Sequence, residues 1–127
     1  MTLPVNARID AVPNFAANLE QVRAFFVAQD AATAPARLVQ LKGELRDMKR
    51  ILSWSPAAGR PARFLNGNSV QAHMRTDTVL QLATQAGLPF LREYVVAQHV
   101  VLYAHSASEV LLLALKHQRQ LAYSTLQ

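Results

Sequence analysis

Between Leu91 and Arg119 the chain sets Arg92, Tyr94, His99, Tyr103, His105, His117 and Arg119 into an otherwise apolar block, LREYVVAQHVVLYAHSASEVLLLALKHQR. A guanidinium can grip a phosphate through two parallel hydrogen bonds, while imidazole and phenol groups can carry protons. None of these groups needs a metal. Together they are suitable parts for cleaving RNA through its own 2′-hydroxyl, and equally suitable for a surface that binds an anion or a protein. Other chemistries find no support. There is no glycine-rich phosphate loop, no HExxH helix and no cysteine, and the four histidines share no ligand-like spacing, so neither metal nor cofactor is expected.

Those side chains need a sheet to position them. Residues 90–97, 100–105 and 109–117 are rich in Val, Leu and Tyr and read as an antiparallel meander of three strands. With Gln98 and His99 as the tip of the first hairpin, Tyr94 faces Tyr103 and Arg92 faces His105. Arg92, Tyr94, Tyr103 and His105 then share one side of the sheet, and Leu91, Val95, Leu102 and Ala104 the other. The third run is apolar at nearly every position, which suits a central or helix-covered strand. Its polar exit carries His117 and Arg119, with a final helical turn expected in the tail.

Upstream, residues 7–12 alternate loosely and predict a short strand with Arg8 and Asp10 on one face. Pro13 ends it, and Asn14 is the expected N-cap of a first helix, striped by Phe15, Leu19, Val22 and Phe26 and reaching about Gln29. After the break DAATAP, with Thr33 as cap and Pro35 in the first turn, Leu38, Leu41, Leu45, Met48 and Leu52 stripe a second helix. The pair predicts an antiparallel helical hairpin whose apolar seam packs within the molecule. Residues 57–63, AAGRPAR, read as a turn or linker. Residues 69–86 are compatible with a third helix, stopped by Gly87 and Pro89. The predicted fold is α+β: a helical hairpin on a small, twisted antiparallel sheet, in one domain spanning residues 1–127.

The charge is concentrated. Arg37, Lys42, Arg46, Lys49, Arg50, Arg60 and Arg63 against Glu44 and Asp47 supply the whole net charge of +5 from one stretch. Lys42, Arg46, Lys49 and Arg50 fall about 100° round the helix from its apolar stripe and should be exposed. Together with Arg60 and Arg63 they are the candidates for contacting a nucleic-acid backbone or an acidic protein. Hydrophobic residues make up 51% of the chain and charged ones 17%, so a globular core is expected. Without a membrane-length apolar run or a signal-like N-terminus, a cytoplasmic location is expected.

A helical hairpin, then Gly59-Arg60-Pro61, Arg92-Glu93-Tyr94, Leu102-Tyr103 and the closing His117-Gln118-Arg119 resembles the RelE/ParE superfamily of bacterial toxins. The resemblance follows the order of elements through most of the chain. It departs from the family over residues 66–89, which are longer than the usual connection between turn and sheet. The resemblance implies the toxin half of a type II toxin–antitoxin module, arresting growth and neutralised by a cognate antitoxin. Operator DNA would be bound only by the toxin–antitoxin complex. RelE-like members cut mRNA at the ribosome, which would give Arg92 and Arg119 the scissile phosphate and Tyr103 and His117 the proton transfers. ParE-like members act on DNA gyrase and use no catalytic residues. The alternative is a non-toxic basic module that binds nucleic acid or protein.

Overall fold

The computed structural model describes residues 6–62, 81 and 87–117. The chain forms β1 (Arg8–Ala11), α1 (Pro13–Gln29), α2 (Ala34–Trp54), a 3-10 turn (Pro56–Ala58), β2 (Arg60–Pro61), β3 (Phe90–Val96), β4 (His99–His105) and β5 (Glu109–His117). The expected helix over 69–86 falls outside the described residues, apart from helical Gln81, and so does the expected turn in the tail. The strands make one sheet in the order β1-β5-β4-β3-β2. The meander is antiparallel as expected, and β1 adds to β5 in parallel, pairing Ile9 with Val110 and Ala11 with Leu112. The fold is α+β.

Each helix lies where its stripe dictates. Leu41, Leu45, Met48 and Leu52 of α2 are all buried, and their transfer from water stabilises the domain by roughly 1.5–3 kcal/mol each. They meet Phe15 and Phe26 of α1 and Val101, Tyr103, Leu112 and Leu115 of the sheet in one cluster. The opposite sheet face gathers Val100, Leu102, Ala104, Leu113 and Ala114 in a second. β4 is buried at every position, as befits the middle strand.

Three local expectations are corrected. The first hairpin turns at Ala97 and Gln98, not at Gln98 and His99, because His99 pairs with Val96. Ala97 takes φ 52°, as the first position of a primed hairpin turn requires. Arg92 therefore faces Tyr103, Tyr94 faces Val101, and His105 faces Phe90. The slip is two residues, so side-chain parity, and with it the sorting of residues onto faces, is preserved. Second, Val12 occupies the N-cap of α1 with Pro13 in its first turn, which places Asn14 inside the helix and buries it. Third, part of the segment read as a linker is an edge strand: Arg60 and Pro61 pair with Glu93 and Arg92. At α2, Thr33 stands at the N-cap position without a side-chain capping bond.

The buried asparagine has a purpose that the amphipathic stripe does not show. β1 pairs with β5 only as far as Leu112. Beyond it, α1 runs along the bare edge of β5. Asn14 Nδ2 donates to the carbonyl of Leu113 at 3.0 Å, and Asn18 Oδ1 accepts from the amide of Leu115 at 2.9 Å. The two side chains thus take the place of a missing strand and satisfy backbone groups that burial would otherwise penalise.

Candidate functional site: the two ends of the helix-covered face

The residues expected to do chemistry fall into two groups, one at each end of the sheet face that the helices cover. At the first end, Arg92 and Tyr103 are cross-strand partners. Tyr103 is 0% exposed, and its hydroxyl donates to the carbonyl of Pro56 at 2.7 Å while accepting from the amide of Gly59 at 2.9 Å. Burial pushes this phenol above its ordinary pKa; the Gly59 bond and Arg92 oppose that shift. Arg92 donates from Nη1 to the Gly59 carbonyl at 3.1 Å and from Nε to His105 Nε2 at 3.0 Å. The other imidazole nitrogen of His105, Nδ1, lies 2.9 Å from the Ser106 carbonyl. Both ring nitrogens of His105 are thus within hydrogen-bond distance of a partner, which fixes the orientation of the ring. Phe90 stacks over it at 5.1 Å.

Gly59 sits inside this cluster. A Cβ there would lie 2.6 Å from both the Glu93 carbonyl and the Tyr103 hydroxyl, closer than any side chain can sit, so the turn admits only glycine without rearrangement. Arg60, next in line, approaches buried Glu93 at 3.7 Å from Nε, a buried atom without a hydrogen bond among the described residues. Glu93 and Lys116 belong to the opposite sheet face, where they pair with Leu102 and Val100; burial lowers the Lys116 pKa, Glu93 raises it and Arg60 lowers it further.

His117 stands at the second end, paired with His99. Tyr103 lies four positions along β4 from His99, about 13 Å at the usual strand rise. The two imidazoles meet edge to face at 5.5 Å, and His99 makes a similar contact with Phe26 at 6.2 Å. Burial lowers the pKa of His99, followed by the charge of His117, with Arg37 adding to the shift and Glu44 opposing it. Between this end of the sheet and the C-terminal half of α1 lies a cleft of about 660 Å³, walled by Phe25, Phe26, Gln29, Arg37, His99 and His117 among others. The guanidinium of Arg37 lies 4.0 Å over the Phe26 ring, and its Nη1 donates to Gln29 Oε1 at 2.8 Å.

The basic edge of α2 is as expected in one respect: Lys42, Arg46, Lys49 and Arg50 are all exposed. Arg50 is paired with Asp47 at 3.3 Å, and Lys42 is close enough to Glu20 of α1 to lower that carboxyl's pKa, though Arg23 contributes more. Arg63 and Arg119 lie outside the described residues. Sequence reasoning missed the roles of Asn14, Asn18, Arg37, Gly59 and Glu93. The asparagines left a signal, two amides four residues apart in the middle of an apolar stripe, and Gly59 and Glu93 stood within short motifs that did not show their contacts. No protein-family model and no curated protein matches this chain. Among the described residues, no helix is long and apolar enough to cross a membrane.

Proposed function

We propose that this protein is a growth-arresting toxin of a type II toxin–antitoxin module, related to the RelE/ParE superfamily, and that it acts by docking on its target rather than by cutting RNA. The order of elements supports the first part: a short strand, a helical hairpin and an antiparallel meander. The second part rests on one observation. Tyr103, a proton-transfer group in the nuclease reading, is fully buried with its hydroxyl bonded on both sides, about 13 Å along the strand from the level of His117. A general acid or base has to reach the proton it moves. DNA gyrase is the corresponding target, the basic edge of α2 is the docking surface, and a cognate antitoxin relieves the arrest.

Expression in a bacterial host without an antitoxin should stop growth. Normal growth with well-expressed, folded protein would sink the toxin reading. Purified protein added to a gyrase supercoiling reaction should inhibit it while leaving ribosome-bound mRNA intact. Cleaved mRNA with unaffected supercoiling would instead establish the nuclease mechanism and remove the docking one.

A further inference from the structure

The docking reading leaves the cleft at the second end unused. Its volume of about 660 Å³ lies within the range of small-molecule sites, roughly 300–1,000 Å³. Its walls combine apolar side chains with one guanidinium and two imidazoles. Phe25 is 51% exposed and lines the cleft, so an aromatic ring is available there to a ligand. Arg37, His99 and His117 line the same cleft. None of the described residues lining the cleft is acidic.

Arg37 is prepared for a ligand. Its guanidinium is stacked on Phe26 and tied to Gln29 through one nitrogen, so the side chain is already ordered and several of its five N–H donors are uncommitted in that contact. His99 is 7% exposed, and among the described residues nothing hydrogen-bonds its ring; Phe26 and His117 hold it through ring edges only. An imidazole that no described residue hydrogen-bonds, beside an ordered guanidinium, is a combination a polar ligand group can complete.

We infer that this cleft binds a small organic anion with a flat apolar body, its ring against Phe25 and its carboxylate, phosphate or sulfonate head on Arg37 and the His99–His117 pair. The inference is independent of the toxin reading, since it concerns binding by the isolated protein.

The aromatic sulfonate 8-anilinonaphthalene-1-sulfonate serves as the probe, titrated into the untagged full chain and followed by fluorescence. A single saturable site is expected. Arg37→Gln should weaken it about tenfold, the loss of one charge-assisted contact, whereas Arg23→Gln removes the same charge elsewhere and should leave it unchanged. The uncharged analogue N-phenyl-1-naphthylamine should bind more weakly to the native protein and be indifferent to Arg37→Gln, while Phe25→Ser should weaken both probes. Circular dichroism melts identify any variant that fails to fold, and the two-probe comparison on the native protein then still tests the head-group contact. Displacement by phenylacetate points to a carboxylate ligand, and displacement by AMP to a phosphate monoester. The inference is overturned if no saturable site is found, if Arg23→Gln weakens binding as much as Arg37→Gln, or if the charged and uncharged probes bind equally well.

Discussion

Tyr103→Phe separates a structural role for this tyrosine from a chemical one. The substitution removes a single oxygen and keeps the ring, so the core loses no packing beyond the hydroxyl. It does strand two partners, the Pro56 carbonyl and the Gly59 amide, in a place that water does not reach through Tyr103, which is 0% exposed. Leaving a buried polar group unsatisfied costs about 1–3 kcal/mol, and partial relaxation of the turn should hold the combined loss to about 2–3 kcal/mol. In a chain of 127 residues that is a fall in Tm of roughly 9 °C. Urea denaturation at 25 °C should report it as a lower midpoint with an unchanged slope. Out of a typical total near 5–15 kcal/mol the protein stays folded, so its effect on growth should persist. A proton-transfer role predicts the opposite pattern, with stability little changed and activity down about 10²–10⁴-fold. A stability loss below about 0.5 kcal/mol would refute the clamp, since exposed or idle hydroxyls lose no more. Gly59→Ala gives a second check. Its methyl would collide with that same hydroxyl, so the two substitutions should be non-additive by about 1 kcal/mol in a double-mutant cycle.

Asn18→Leu should destabilise the domain by about 1–3 kcal/mol in the same denaturation assay, because it strands the Leu115 amide at the edge of β5. Deprotection of that amide in hydrogen exchange would locate the damage. Ala97→Gly should raise stability by about 0.5 kcal/mol: relief of a left-handed φ of 52° exceeds the added freedom of the unfolded chain. A loss of stability would mean that the turn is held by something other than its backbone geometry. For pH, the folded-state pKa of His99 lies below its ordinary 6.5. The unfolded chain therefore takes up the proton first as pH falls, and stability contributed by the neutral ring is present above that value and is lost below it. His99→Gln should flatten the decline between about pH 7 and 5, and an unchanged slope would assign it to other groups.

What the sequence made legible follows from periodicity. A stripe at helical spacing placed α2 and its buried leucines, and runs of β-branched residues placed the meander. The faces of Arg92, Tyr94, Tyr103 and His105 came out correctly even with the hairpin tip misplaced by one residue, because moving both tip residues slides the pairing by two and parity is all that a face depends on. What stayed hidden were features without a period. The irregularity between β4 and β5 leaves Leu113 as an extra residue between Leu112, partner of Tyr103, and Ala114, partner of Leu102. Simple alternation from Val110 would have put Lys116 on the helix-covered face; the bulge brings His117 there instead, into the cleft. Nothing local in EVLLLALKH announces it. Arg37 and the asparagine edge are likewise contacts between elements far apart in sequence, with Asn14 and Leu113 separated by 99 positions.

The short motifs that carry the RelE/ParE resemblance are not equivalent once folded. Three of them are one physical device. β2 is two residues long and one is Pro61, which has no amide to donate, so the sheet ladder alone holds that segment weakly. Side chains make up the deficit: Tyr103 binds the Gly59 amide and the Pro56 carbonyl, Arg92 binds the Gly59 carbonyl, and Glu93 lies against Arg60. Glycine is needed for the approach, the arginine and tyrosine for the bonds. These residues would be retained for folding under any function, which makes them poor witnesses to a mechanism. His117, from the closing motif, stands at the other end of the sheet, against His99 and lining the cleft, and the basic edge of α2 is exposed. Under the toxin reading, substitutions at the first end should therefore change activity only as far as they change stability. Charge reversals at Lys42, Arg46 and Lys49 should abolish growth arrest in a protein that melts normally, because surface charge governs encounter with a partner far more than it governs the fold.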